Sequence, residues 1–176
     1  MHNINFLFVT LFGIGKLKKI PGSYASLMTT IFLFFLFHIL NLSPNIILIG
    51  IIIVFLISLY AVNIFIKDLD NKDPKEVVID EFIGQSIPIC LYEIAHEGSK
   101  ETSQVLTIYF IMFILFRIFD IVKPYPVNYY DKNFKNSFGV IMDDVCAGLY
   151  VVAVLVLYMV ITSWKNFLKN YINYWI

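Results

Sequence analysis

Long stretches of this chain carry no charge at all. From Tyr24 to Ile66 there is no Asp, Glu, Lys or Arg. Over the 176 residues charged side chains reach only 15%, against about 25% in soluble domains. That scarcity argues against an ordinary water-soluble domain. Net charge is zero, so the basic face that a nucleic-acid partner requires is missing, and no nucleic acid is expected. Only two cysteines occur, Cys90 and Cys146, both in apolar context. They build no disulfide framework and no metal-ligand spacing, and read as buried, inert thiols. The three histidines, His2, His38 and His96, are scattered and support no zinc site. A secretory signal places basic residues before its apolar run; here Lys16, Lys18 and Lys19 follow that run, so no signal peptide is expected.

Apolar residues are what the chain has in abundance, at 59%, with a mean hydropathy of +0.78. About 20 apolar residues carry a helix across the hydrocarbon core of a bilayer. The charge-free stretch is broken by Asn41-Leu-Ser-Pro-Asn45, which predicts a hairpin of two spans, 24–42 and 46–66. Further spans are predicted over 102–119 and 145–164. The short segment 82–92, interrupted by Pro88, reads as a buried helix, a re-entrant segment or a fifth crossing. The fold expected is a single all-α domain over residues 1–176: a polytopic membrane helical bundle with four to five transmembrane or membrane-embedded helices. Lysines flank the first hairpin on one side, at Lys16, Lys18, Lys19, Lys67, Lys72 and Lys75. By the positive-inside rule that side is cytoplasmic. If 82–92 crosses, the 120–143 segment returns to the same side.

Ten of the thirteen acids gather in the two segments on that side: Asp68, Asp70, Asp73, Glu76, Asp80, Glu81, Asp120, Asp131, Asp143 and Asp144. Carboxylates at a membrane boundary are costly unless paired or bound to a cation. In Val77-Val-Ile-Asp80-Glu81-Phe-Ile-Gly84-Gln85, the preceding Asp73-Pro74-Lys75-Glu76 is a helix start. That start would place Asp80 and Glu81 two turns into the helix, with Glu76, Asp80 and Gly84 on one face. Gly139-Val-Ile-Met-Asp143-Asp144-Val-Cys-Ala-Gly148 echoes the pattern, although its acids could simply cap the last helix. Two acid pairs brought together repel unless something neutralises them, and Mg²⁺ is the economical neutraliser, a hard ion held by carboxylates, water and phosphate. Arg117, Asp120 and Lys123 follow one another at i, i+3 where Pro124 ends a helix; the arginine fork suits phosphate oxygens. Gly13 to Ser26 is a flexible basic loop opening a helix, with Lys16, Ser23 and Ser26 as anion-binding candidates. Asp68-Leu-Asp70-Asn-Lys72 departs from a calcium loop, and neither cysteine has an arginine spaced for a thiol phosphatase.

Together these four stretches resemble the phosphatidylglycerophosphatase A family. The match lies in Pro21-Gly22-Ser23-Tyr24-Ala25-Ser26, Asp80-Glu81-Phe82-Ile83-Gly84, Phe116 to Pro126 with a following Asp131, and Gly139 to Gly148. It departs from the family pattern at Ala25, where a glycine is usual, and at Lys18, where a proline is usual. The resemblance implies Mg²⁺-dependent removal of the terminal phosphate of phosphatidylglycerophosphate, a phospholipid substrate, to give phosphatidylglycerol. It further implies a bacterial inner (cytoplasmic) membrane location among membrane lipids; oligomeric state is left open. Asp80, Glu81, Asp120, Asp143 and Asp144 are then expected as catalytic and metal-binding residues. Arg117, Lys123, Lys16, Ser23 and Ser26 are expected to bind phosphate, with the site facing the cytoplasm. The rival class is a transporter or channel with interfacial carboxylates; uninterrupted spans free of acids argue against it.

Overall fold

The structure, a computed structural model, describes residues 2–96 and 101–175. Among these the chain is helical and forms no strand. Seven α-helices follow in order: α1 His2–Val9, α2 Pro21–Phe34, α3 Pro44–Ile66, α4 Ile79–Ala95, α5 Thr102–Val122, α6 Val127–Asn133 and α7 Ser137–Trp175. A π turn over Phe35–Ile39 prolongs α2. Four helical stretches are long and apolar enough to cross a membrane: Pro21–Ile39, Pro44–Ile66, Thr102–Val122 and Ser137–Lys165. The outward faces of α3 and α7 carry exposed apolar residues such as Ile53, Leu56, Leu157 and Val160. This is the surface expected where lipid, rather than water, is the solvent.

Helix α4 is the axis of the bundle. Its Ile79 and Ile83 pack in one apolar cluster with Val9, Val62, Ile66 and Ile141, while its Ile89 packs in another with Leu33, Tyr109, Met112 and Phe116. Its 17 residues rise about 25 Å, somewhat short of the hydrocarbon core. Its N-terminus meets the start of α2, the end of α5 and the first turns of α7, whereas Glu93 near its other end meets His38 and Tyr109. It therefore carries the chain from one end of the bundle to the other, and the bundle is traversed five times. The 82–92 segment thus runs the length of the bundle, packed largely against protein, and is not among the helices long and apolar enough to cross a membrane.

Glycine lets α4 and α7 touch. A methyl on Gly84 would come within 2.5 Å of the Asp144 carbonyl, and one on Gly148 would collide with the Gly84 carbonyl. Pro88 has no N–H, so the helical pattern leaves the Gly84 carbonyl, four residues back, without its usual donor. That carbonyl lies instead against Gly148. Small residues that admit close backbone approach are the usual basis of helix association in a membrane, where apolar side chains gain little by leaving lipid. Buried hydroxyls on α2 are satisfied locally: Ser26, Thr29 and Thr30 each donate to the carbonyl four residues back, at 2.8–2.9 Å.

Two expected helix starts are corrected. Helix α4 begins at Ile79, not at Asp73-Pro74: the Val77 N–H closes a turn on the Pro74 carbonyl, and the Val78 N–H donates out of the helical pattern to the Val9 carbonyl at the end of α1 at 3.0 Å. Glu76 therefore lies off the helix and shares no face with Asp80 and Gly84. Asp80 and Glu81 occupy the first turn of α4. Helix α7 begins at Ser137, well before 145, so Asp143 and Asp144 sit inside it and cannot be its caps. The two acid pairs have exchanged the positions that local sequence suggested.

Candidate active site

Three carboxylates converge at the end of the bundle where α2, α4, α5 and α7 meet. Asp80, Glu81 and Asp144 each offer an oxygen within 4.8 Å of the others. Asp80 and Asp144 are buried, at 7% and 3% exposure, while Glu81 is half-buried. The Gly84–Gly148 contact places the first turn of α4 beside the second turn of α7, and so creates the cluster. Gly22, second residue of α2, forms its third wall: a methyl there would collide with Glu81 Oε1 and lie 3.4 Å from Arg117 Nη1.

Arg117 is the cation of this site. Its Nη1 donates to Asp120 Oδ2 at 2.8 Å and reaches the buried Ser26 hydroxyl at 3.4 Å. Its Nε is buried and has no partner among the described residues, and the same holds for Glu81 Oε2. Asp120 lies in hydrogen-bonding reach of Asp144. Four acids thus share one arginine, and part of the polar surface faces no protein group. Two buried carboxylates and a half-buried one in a small volume present the hard oxygen donors that Mg²⁺ takes. With four acids set against one arginine, this donor set fits such an ion.

The remaining predicted residues separate from this cluster. Lys123 ends α5 with a left-handed backbone (φ 48°). Its ammonium donates to Asp131 Oδ1 at 2.7 Å and Asp143 Oδ2 at 2.8 Å. Burial works against that charge, but Asp143 and Asp131 outweigh it and hold the Lys123 pKa above the usual lysine range. Asp143 is therefore neutralised by Lys123 and stands apart from the three-acid group. Asp131, Asp143, Asp73 and Lys72 line a small cleft at the bundle end. Lys16 is exposed, with its ammonium 4.5 Å from the Phe6 ring centroid. Ser23 lies half-buried in the first turn of α2.

Sequence reasoning passed over Gly22, which it treated as loop, and gave Asp131 no role. The Pro-Gly pair at a helix start was the available signal for the first. An acid eight positions after Lys123 was the signal for the second.

The chain also has relatives among known proteins. A family model described as Phosphatidylglycerophosphatase A matches residues 7–159. The phosphatidylglycerophosphatase A of Haemophilus influenzae is 35% identical over 144 residues, which cover 82% of each chain. That of Escherichia coli is 28% identical over 165 residues, 93% of this chain and 87% of the other. A Bacteroides thetaiotaomicron protein provisionally named phosphatidylinositol-3-phosphatase is 33% identical over 143 residues, 80% of this chain and 84% of its own. No solved structure matches.

Proposed function

The chain belongs to the phosphatidylglycerophosphatase A family, and on that premise we propose that it is a Mg²⁺-dependent phosphatase of phosphatidylglycerophosphate. It would release the terminal phosphate and leave phosphatidylglycerol, a step of phospholipid synthesis, at a bacterial inner membrane with the acid end of the bundle toward the cytoplasm. The observation that carries this reading is the convergence of Asp80, Glu81 and Asp144 from two helices beside Arg117.

Asp80, Glu81 and Asp144 would hold the ion. When bound, Mg²⁺ neutralises these acids and draws charge from the phosphoryl oxygens. Arg117 binds the same phosphate through the edge of its guanidinium not used on Asp120, and the Ser26 oxygen and Asp120 keep that fork in place. Water attacks phosphorus and the bond to the glycerol oxygen breaks. Asp120 Oδ1, the oxygen not paired with Arg117, would take the proton of that water and return it to the departing glycerol oxygen. Ser23, at the mouth of α2, adds a hydroxyl for a phosphate oxygen. Lys123 sets the local potential through Asp143 and Asp131, and exposed Lys16 attracts anionic headgroups. Phosphate monoesters are extremely inert, so positioning and charge neutralisation supply most of the acceleration.

The test is phosphate release by the purified protein in detergent. Phosphatidylglycerophosphate should be hydrolysed, chelation with EDTA should abolish the reaction, and Mg²⁺ should restore it. Full activity in chelator with no bound metal sinks the carboxylate–cation scheme. Faster release from phosphatidylinositol-3-phosphate, the headgroup named for the Bacteroides relative, sinks the substrate assignment.

A further inference from the structure

Gln85 is fully buried, at 0% exposure, and neither its Nε2 nor its Oε1 has a hydrogen-bond partner among the described residues. Buried amides are normally paired, with protein or with ordered water. Gln85 also stands four residues after Glu81 on α4, and residues at that spacing occupy one helix face with Cβ atoms about 5–6 Å apart. Glu81 Oε2 is the other buried unpartnered oxygen on that face. The face looks toward Gly22 of α2 and Arg117 of α5. The α2 hydroxyls of Ser26, Thr29 and Thr30 spend their protons on their own backbone, so as donors they are already committed. An uncharged amide offers an NH₂ with two donors and a carbonyl acceptor side by side. That chemistry suits a water molecule and is poorly suited to a phosphate or a metal ion.

We infer that Gln85 and Glu81 Oε2 hold an internal water between them, and that through it Gln85 is a positioning residue for the Glu81 carboxylate. The water accepts from Gln85 Nε2–H and donates to Glu81 Oε2. Glu81 Oε1 is meanwhile confined by the Gly22 backbone. The carboxylate is then fixed at both oxygens before any ligand arrives. Losing a group that orients a ligating carboxylate typically costs about 10- to 100-fold in metal affinity or activity. This inference rests on the phosphatase reading for its kinetic arm only.

The test compares Gln85→Met and Gln85→Leu, which remove both polar atoms at similar volume, with Gln85→Asn, which keeps an amide and leaves room for a second water. Each is purified in detergent beside the unaltered protein, and kcat, KM and the melting temperature without metal are measured. Met and Leu should lower kcat by about 10- to 100-fold with KM little changed, and should melt no lower than the parent. Asn should recover most of the turnover. Equal kcat in the amide and apolar variants overturns the inference, as does a marked fall in melting temperature for both apolar variants, which would assign the amide to protein partners. If the parent itself releases no phosphate, the phosphatase reading fails, and the melting temperatures still decide the water.

Discussion

The two ends of the bundle each bury acids, and they treat them differently. At the far end Glu93 accepts from the Tyr109 hydroxyl at 3.1 Å and lies 3.4 Å from His38 Nε2. Phe34, His38 and Tyr109 close over it with ring centroids 5.0–6.1 Å apart. One carboxylate there is answered by groups of the protein itself. At the near end Asp80, Glu81, Asp120 and Asp144 crowd around Arg117, with buried oxygen and nitrogen atoms left over. His38 Nε2 makes no hydrogen bond among the described residues, but the far-end carboxylate itself is paired by protein groups and ties helices together; the near-end carboxylates outnumber their protein partners and store a preference for something from outside. The contrast separates a structural tie from a site, although both look alike as acids in an apolar sequence.

Neutralising the near-end acids should produce the largest effect. Asp80→Asn and Asp144→Asn keep shape and remove charge, and kcat should fall by about 10²–10³, with excess Mg²⁺ returning part of it. Near-normal phosphate release from well-folded variants would erase the distinction between the two ends. Arg117→Lys keeps the charge but loses the planar fork. A drop in kcat/KM of about tenfold, or about 1.4 kcal/mol, is expected in the same assay, and Mg²⁺ should not rescue it.

Stability should respond where the helices touch. Gly148→Ala drives a methyl into the Gly84 carbonyl, an overpacking that costs about 1–3 kcal/mol. Its thermal unfolding in detergent should fall below that of the parent. An unchanged melting temperature would mean that the α4–α7 seam yields easily. The smallest effect belongs to the far end. Tyr109→Phe removes one hydrogen bond to Glu93, worth about 1 kcal/mol, so melting should drop slightly while kcat stays the same. A loss of turnover there would join the two clusters into one functional unit.

Much of this was legible in the chain because membrane spans announce themselves locally. The charge-free run 24–66 and the break at Asn41–Asn45 put α2 and α3 nearly where they fall, since transfer of a helix into lipid sums over its own residues. The Arg117–Asp120 pair followed from i, i+3 spacing alone, and appears at 2.8 Å. Helix starts were less legible. Asp73-Pro74 has every local mark of a start, yet a long-range bond takes the Val78 N–H to the Val9 carbonyl, and the helix starts only at Ile79.

What the sequence determined by itself was the membrane-like bundle, the end of it to which the acids belong, and the presence of an arginine fork beside them. Only the tertiary structure decided which acids meet. It drew Asp143 away to Lys123, brought Asp80, Glu81 and Asp144 within 4.8 Å, and set the Gly22 backbone against Glu81. The reason is physical: hydropathy and helix spacing are properties of one segment, whereas close approach is a property of two backbones at once. Gly84 and Gly148 lie 64 positions apart, and their closeness depends on how α4 and α7 cross.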